Sequence, residues 1–210
     1  MDIQITTPGN SPPTLSAKFT SYLGSFLIAC AVVVPLLFYG PLLQVEIGYR
    51  LRQLLRPTDS RASYDPYTTI VSKVPDQTFS LFIPKIDAIG KIFPNVSTTN
   101  KEEYFTVLKE GIAHARDTVL PGQIGNIYLF AHSTDSPLNI IRYNAVFYLL
   151  RELEVGDEAF VVYDGKPYRY VVREKKIVEP TNVSYLTPEN EKGVEQLILQ
   201  TCWPPGTTQK

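Results

Sequence analysis

Cys202 and His132 each end a short apolar run, and together they have the makings of acyl-transfer chemistry. Cys202 closes Leu197-Ile198-Leu199-Gln200-Thr201 and is followed by Trp203-Pro204-Pro205-Gly206-Thr207-Thr208. Prolines stop a strand ladder, so the run reads as a buried strand whose last residue stands on a rigid element at an open rim. A free cysteine more often packs as a small hydrophobe, and a partner is what argues for a nucleophile. His132 follows Ile127-Tyr128-Leu129-Phe130-Ala131 and precedes the polar Ser133-Thr134-Asp135-Ser136. If the two strands are parallel neighbours, both side chains emerge at one rim. An imidazolium beside a thiol, whose unperturbed pKa is about 8.5, raises the thiolate fraction. It then protonates a leaving amine. Standing alone, His132 reads as a structural, hydrogen-bonding residue.

The elements that must position these two residues begin near Thr78. Phe79, Leu81 and Ile83 alternate with Ser80 and Phe82, a strand that ends at Pro84. Ile89 to Val96 is a second strand. Glu102 to Ile112 has helical spacing through Phe105, Leu108 and Ile112, with Gly111 near its end. Pro121 to Asn126 is a turn into Ile127–Ala131. Ile140 to Leu153 again has helical spacing and stops before Gly156. Glu158–Tyr163 and Tyr168–Val172 form a hairpin across Asp164-Gly165. Lys176 to Pro180 is expected to extend the second of these strands. Thr181 to Gly193 is a long loop, and Gln196 to Thr201 is the last strand. Short strands with two local helices predict a mainly β fold, an antiparallel barrel with inserted helices.

The chain has 210 residues and a net charge of −1, so no broad basic field exists to track a phosphate backbone, and nucleic acid is set aside. From Ser21 to Leu43 there is no charged side chain, and about 20 such residues suffice to cross a bilayer as a helix. Tyr22, Tyr39 and Tyr49 lie near its ends, where interfacial aromatics belong. A signal peptide would carry a shorter apolar core and a small-x-small cleavage site, which is missing after Leu43. The reading is a retained anchor. Cys30 falls inside it, so Cys202 is expected to be free. The basic side chains point the other way: Lys18 precedes the segment, whereas Arg50, Arg52 and Arg56 follow it. That bias favours a cytoplasmic C-terminal side, although a long following domain weakens the rule. The expected domains are a disordered tail over 1–20, a transmembrane helix over 21–43, a juxtamembrane helix and linker over 44–77, and the barrel over 78–210. Within the linker, Arg56 to Asp76 reads as a semi-extended tether.

Several of these segments, taken in order, resemble the sortases, the cysteine transpeptidases of bacterial cell surfaces. Leu197-Ile-Leu-Gln-Thr-Cys202 with its Pro-Pro-Gly-Thr tail is similar to their active-site strand. Asn126-Ile-Tyr-Leu-Phe-Ala-His132 is similar to their Gly-Asn-(apolar)-Gly-His segment, with Ala131 in place of the usual Gly. Phe82-Ile-Pro-Lys-Ile86, Leu108-Lys-Glu-Gly-Ile-Ala-His114 and Val155-Gly-Asp157 fit as well, over roughly residues 78–210. The resemblance implies a sortase-like antiparallel or mixed closed β-barrel behind an N-terminal transmembrane helix, with the catalytic domain extracellular. It implies that Cys202 attacks the Thr–Gly bond of a Leu-Pro-x-Thr-Gly-like sorting signal, and that His132 is the general acid and base. It further implies that Thr201 binds substrate or the oxyanion, and that a cell-wall precursor or pilin amine releases the acyl group. Surface proteins bearing sorting signals, that amine and the membrane are the implied partners. Thr181 to Gly193 corresponds to the family's recognition region.

The family also carries an arginine on a strand after the cysteine, and here the chain reaches Lys210 where that strand should start. Arg142, Arg151, Arg169 and Arg173 match no family motif. The expectation is therefore a missing final strand and impaired activity. His114 is the rival histidine, which the family places without the primary acid–base role. No cofactor is implied. Some sortases use calcium through loop carboxylates, and Asp135, Glu189 or Glu191 would be the candidates. The alternatives are a membrane-tethered, non-catalytic binding domain in which Cys202 only packs, or another cysteine transpeptidase of cell-wall peptides. A Ser-x-Gly-Cys-x-Arg segment would mark the latter, and Gln200-Thr201-Cys202-Trp203 is not that.

Overall fold

The helix α1, Leu15–Leu55, holds at its middle a run of apolar side chains, Phe19–Gly40, with no charge to interrupt it. The computed structural model describes residues 15–55, 68–132, 146–179, 183–190 and 193–201. It divides into two units, Met1–Gly40 and Pro41–Lys210. In the first unit, Phe19–Gly40 is 22 residues with a mean hydropathy of 2.2. Phe26, Leu27, Ile28, Leu36 and Leu37 are all exposed. At 1.5 Å per residue such a stretch rises about 33 Å, the thickness of a bilayer's hydrocarbon. A helix apolar on every side, with no protein face to bury it, suits lipid.

The second unit begins with the end of α1. Glu46–Leu55, part of the expected juxtamembrane helix and linker, is the last part of α1. Tyr49 is buried in the main core and Val45 packs against it. Glu46 pairs with Arg151 at 2.6 Å, and Arg52 pairs with Asp87. Beyond it, the expected tether is replaced in part by a helix, α2, Thr68–Lys73. Ile70 and Val74, four residues apart, bury one apolar edge against Phe82, Phe160 and Val162.

Seven strands follow: β1 Phe79–Ile83, β2 Ala88–Val96, β3 Ile112–Ala115, β4 Gly125–Phe130, β5 Glu158–Tyr163, β6 Lys166–Val171 and β7 Glu195–Gln200. They form one sheet in the order β6-β5-β1-β2-β3-β4-β7, with β2/β3 and β4/β7 parallel and the other pairs antiparallel. The sheet curls toward closure where Tyr170 on β6 donates a hydrogen bond to Glu195 at the start of β7. Leu81, Ile83, Ile92, Ile112, Ile127, Leu129 and Val161 fill the interior. The other face of β1 and β5 is covered by α2, and that of β2, β3 and β4 by the helix α3, Lys101–Glu110. The mainly β, barrel-like fold behind an apolar N-terminal helix is as expected.

Four local expectations change. The helix over Glu102–Ile112 stops at Glu110, because Gly111 passes too close to β2: a Cβ there would stand 2.5 Å from the Lys91 carbonyl oxygen. Ile112 to Ala115 then form β3, buried at all four positions. Of the helix over Ile140–Leu153, residues 140–145 lie outside the described residues. Val146 to Leu149 make a turn and Leu150–Glu152 a 3-10 helix, since four consecutive buried side chains cannot share one α-helical stripe. Lys176 to Glu179 do not extend β6. The chain is drawn aside where the Lys175 ammonium caps the carbonyls of Arg151 and Leu153 at 2.7 and 2.8 Å. The loop over 181–193 holds a 3-10 helix, Ser184–Leu186. The hairpin is as expected, with Asp164 and Gly165 both at positive φ, the two-residue I′ geometry.

Candidate functional site

The strands that carry the sequence's two candidate residues are parallel neighbours. β4 and β7 pair in step from Gly125↔Glu195 to Phe130↔Gln200, without a bulge. Ile127, Leu129, Leu197 and Leu199 face the interior core. Alternation therefore turns Tyr128 and Phe130, with Ile198 and Gln200, to the other face. The pairing continues past the ladder: the Ala131 N–H donates to Gln200 O at 3.3 Å. The Thr201 hydroxyl donates to Ala131 O at 3.1 Å. His132 is the next residue on β4's side, half-buried, its ring stacked on Phe105 of α3 at 6.1 Å with 28° between planes. Thr201 and the residue preceding His132 are thus in direct contact. Cys202 lies outside the described residues.

At the opposite end of this strand pair sits a polar clamp that periodicity did not reveal. Asn126 is 4 % exposed, and its amide donates to Thr187 O at 3.0 Å and Glu189 O at 3.3 Å. Its Oδ1 accepts from Asn190 Nδ2 at 3.1 Å, which also reaches Val194 O at 2.8 Å. The Asn126 N–H donates to Pro188 O at 2.8 Å. Gly125, at φ 136°, is required there: a Cβ would meet Pro188 O at 2.2 Å. The second half of the β6–β7 loop is thereby bonded to the first residues of β4. The sequence's signal for this was a lone asparagine in an apolar run, a polar group that burial obliges to find partners.

His114 is the other imidazole, and its surroundings are structural. It is 3 % exposed on β3 and sits opposite Leu129, on the face away from Phe130. Nε2–H points at Val119 O, 3.0 Å, with Thr118 Oγ1 also at 3.0 Å. Nδ1 accepts from the Asn95 N–H at 3.4 Å, where a bulge in β2 turns that amide inward. Phe79 packs on the ring at 5.7 Å. Burial pushes its pKa below 6.5, opposed by the bond to Val119 O, so the neutral form is favoured. Burial likewise pushes the Tyr128 hydroxyl up to about 12, which keeps it protonated at ordinary pH.

Two of the arginines that matched no motif are paired elsewhere. Arg151 pairs with Glu46 at 2.6 Å and Glu152 at 2.9 Å, and Arg169 donates to Glu158 at 2.9 Å. Arg142, Asp135 and Glu191 lie outside the described residues. Among the described residues, no three His, Cys, Asp or Glu side chains converge on a metal-sized site.

Set beside known proteins, residues 81–210 match the family model described as the sortase domain. The chain is 31% identical over 145 residues to Sortase D of Bacillus subtilis (strain 168), covering 69% of this chain and 61% of that protein. It therefore spans about three-fifths of that relative's length. Among solved structures it is similar to sortase E from Streptomyces avermitilis, with 26% identity, 60% of this chain and 80% of that one covered, and a TM-score of 0.46. A Clostridium perfringens Sortase D5 transpeptidase is similar at 20% identity over 77% of this chain and 88% of that one, with a TM-score of 0.49.

Proposed function

The chain belongs to the sortase family, and from that premise we propose that it is a membrane-anchored cysteine transpeptidase with Cys202 as nucleophile and His132 as general acid and base. The observation that carries this reading is the parallel β4/β7 pair, in register to Phe130↔Gln200 and tied beyond it by Thr201 to Ala131. His132 and Cys202 are each one peptide bond past that tie. Consecutive Cα atoms are about 3.8 Å apart, so the tie limits how far either residue can stray from the other.

In the proposed reaction, the Cys202 thiolate attacks the threonine carbonyl carbon of a Leu-Pro-x-Thr-Gly-like signal. The C–N bond to glycine breaks, and the His132 imidazolium gives its proton to the departing amine. A thioester joins Cys202 to the cleaved protein. An amine of a cell-wall precursor or pilin then attacks that carbonyl. The now neutral His132 takes the proton, and Cys202 leaves as thiolate. Thr201, its hydroxyl hydrogen given to Ala131 O, serves by holding β7 to β4. The apolar Phe19–Gly40 stretch anchors the chain, with the barrel on the extracellular side, where sorting signals emerge.

The test is a trapped intermediate. Full-length chain in detergent, mixed with a synthetic peptide containing Leu-Pro-Ala-Thr-Gly, should gain the mass of the acyl fragment on Cys202. Cys202→Ala should gain none. His132→Ala should slow the gain by at least about 100-fold, the usual worth of a positioned acid–base group. Alkylation offers a second discriminant, since a packed thiol resists iodoacetamide and an activated one reacts. No mass gain together with an inert thiol would favour the binding-domain alternative.

A further inference from the structure

We propose that Phe105 is a positioning residue for His132, with α3 serving as an aromatic platform that fixes the plane of the imidazole. The inference rests on the acid–base role proposed for His132. Three observations support it. First, two consecutive α3 residues cover two successive outward positions of the β4 strand line. Tyr104 meets Phe130 edge-on at 6.4 Å and 74°, and Phe105 lies nearly parallel to His132 at 6.1 Å and 28°. The rings of Tyr104 and Phe105 also touch each other at 4.8 Å, and Tyr128 meets Phe130 at 6.3 Å. His132 therefore ends a continuous ladder of rings.

Second, the platform is held from both ends. Asn100 caps α3 by accepting from the Glu103 N–H. The Glu103 carboxylate accepts from the Ser97 N–H at 3.0 Å and from Arg116 at 3.0 Å. Leu108 is buried against Val96 and Ala113. Third, β3 offers only the small Ala113 opposite Phe130, which lets the helix lie close enough for ring contact. An imidazole that must receive a proton from one group and give it to another works only in a narrow range of orientation. A flat neighbour on one face restricts rotation about its side-chain bonds while leaving both ring nitrogens at its edge. An aliphatic side chain of similar volume would fill the space without setting the plane.

The chain has two histidines, so their ring resonances can be assigned by elimination in full-length protein in detergent labelled at histidine. Phe105→Leu should move the His132 ring protons out of the shielding of the stacked ring and leave those of His114 in place. Phe105→Tyr should keep both. With the Leu-Pro-Ala-Thr-Gly peptide, Phe105→Leu should form the acyl-enzyme about tenfold more slowly, and Phe105→Tyr should restore the rate. Unchanged His132 resonances in Phe105→Leu would overturn the proposal. So would a rate equal to that of the parent chain. Displaced His114 resonances would report a general loss of fold, in which case Phe105→Tyr decides: it must match the parent in both readouts. Absence of any acyl-enzyme in the parent chain would defeat the transpeptidase reading instead, and the resonances would still decide whether Phe105 sets the ring.

Discussion

The Thr201 hydroxyl joins the two strands that carry the proposed chemistry. Its bond to Ala131 O at 3.1 Å is the last tie before the chain reaches Cys202. Thr201→Val keeps the shape and removes this hydrogen bond from the carbonyl of the buried Ala131. The expected cost is about 1 kcal/mol of stability, read from denaturant melts. Acyl-enzyme formation should also slow by several-fold, because separation of the strand ends would misplace the proposed nucleophile and acid together. Lost stability with an unaltered acylation rate would show that the tie serves the fold alone. His114 makes a separate prediction. Its pKa is lowered in the folded chain, so the unfolded chain takes up the proton first as pH falls. Stability from the neutral ring is complete above pH 6.5 and declines below it. His114→Gln retains an N–H for Val119 O but does not titrate. The stability gap between parent and variant should therefore narrow from about pH 7.5 to about pH 5.5. A gap that stays constant across that range would refute the assignment.

Among the elements, the β4/β7 pair owes its register to the clamp at its start as much as to its apolar side chains. Asn126→Ala would leave Thr187 O, Glu189 O and Asn190 Nδ2 short of partners next to a buried site. A loss of about 2–3 kcal/mol is expected. Asn190→Ala, at a more open position, should cost about 1 kcal/mol. Equal losses from the two would place the clamp's strength in the loop rather than in β4. Reading these elements from sequence succeeded where period and punctuation agree. β1, β4 and β7 were legible because apolar runs end at Pro84, at His132 with a polar loop, and at Pro204. The β5/β6 turn was legible because Asp-Gly accepts two positive φ angles. β3 was missed because four residues, all buried, carry no period, and their apolar side chains fitted the preceding helix equally well. α2 was hidden by prolines on either side. The proposed site residues past the strand ends could be nominated from sequence, but Phe105 as a neighbour of His132 could not. Its helical spacing marked it as core, and only the three-dimensional crossing of α3 over β4 brings it to His132.

At the scale of the whole molecule, the boundary between anchor and domain falls within α1, at the end of its apolar stretch, and not at the end of the helix. Residues 41–55 group with the barrel rather than with the segment before Gly40. Tyr49 is buried in the barrel's main core beside Val45, and Glu46 reaches Arg151 at 2.6 Å. The sequence suggested a juxtamembrane helix as part of a linker, since nothing in its spacing says which partner its apolar side chains will find. A linker can be removed at little cost, whereas a docked helix cannot. A chain starting at Pro41 should therefore unfold at nearly the same temperature as the full-length protein. One starting at Arg56 loses a buried tyrosine, a partly buried valine and one of the two carboxylates paired with Arg151. Burial of a large side chain is worth about 1.5–3 kcal/mol and a part-buried ion pair about 1 kcal/mol, for a total near 3 kcal/mol. In a domain of this size that corresponds to a fall of about 10 °C in melting temperature. Calorimetry of the two shortened chains side by side is the check. Matching melting temperatures would mean that residues 41–55 are a spacer after all, and that the barrel's core closes without Tyr49.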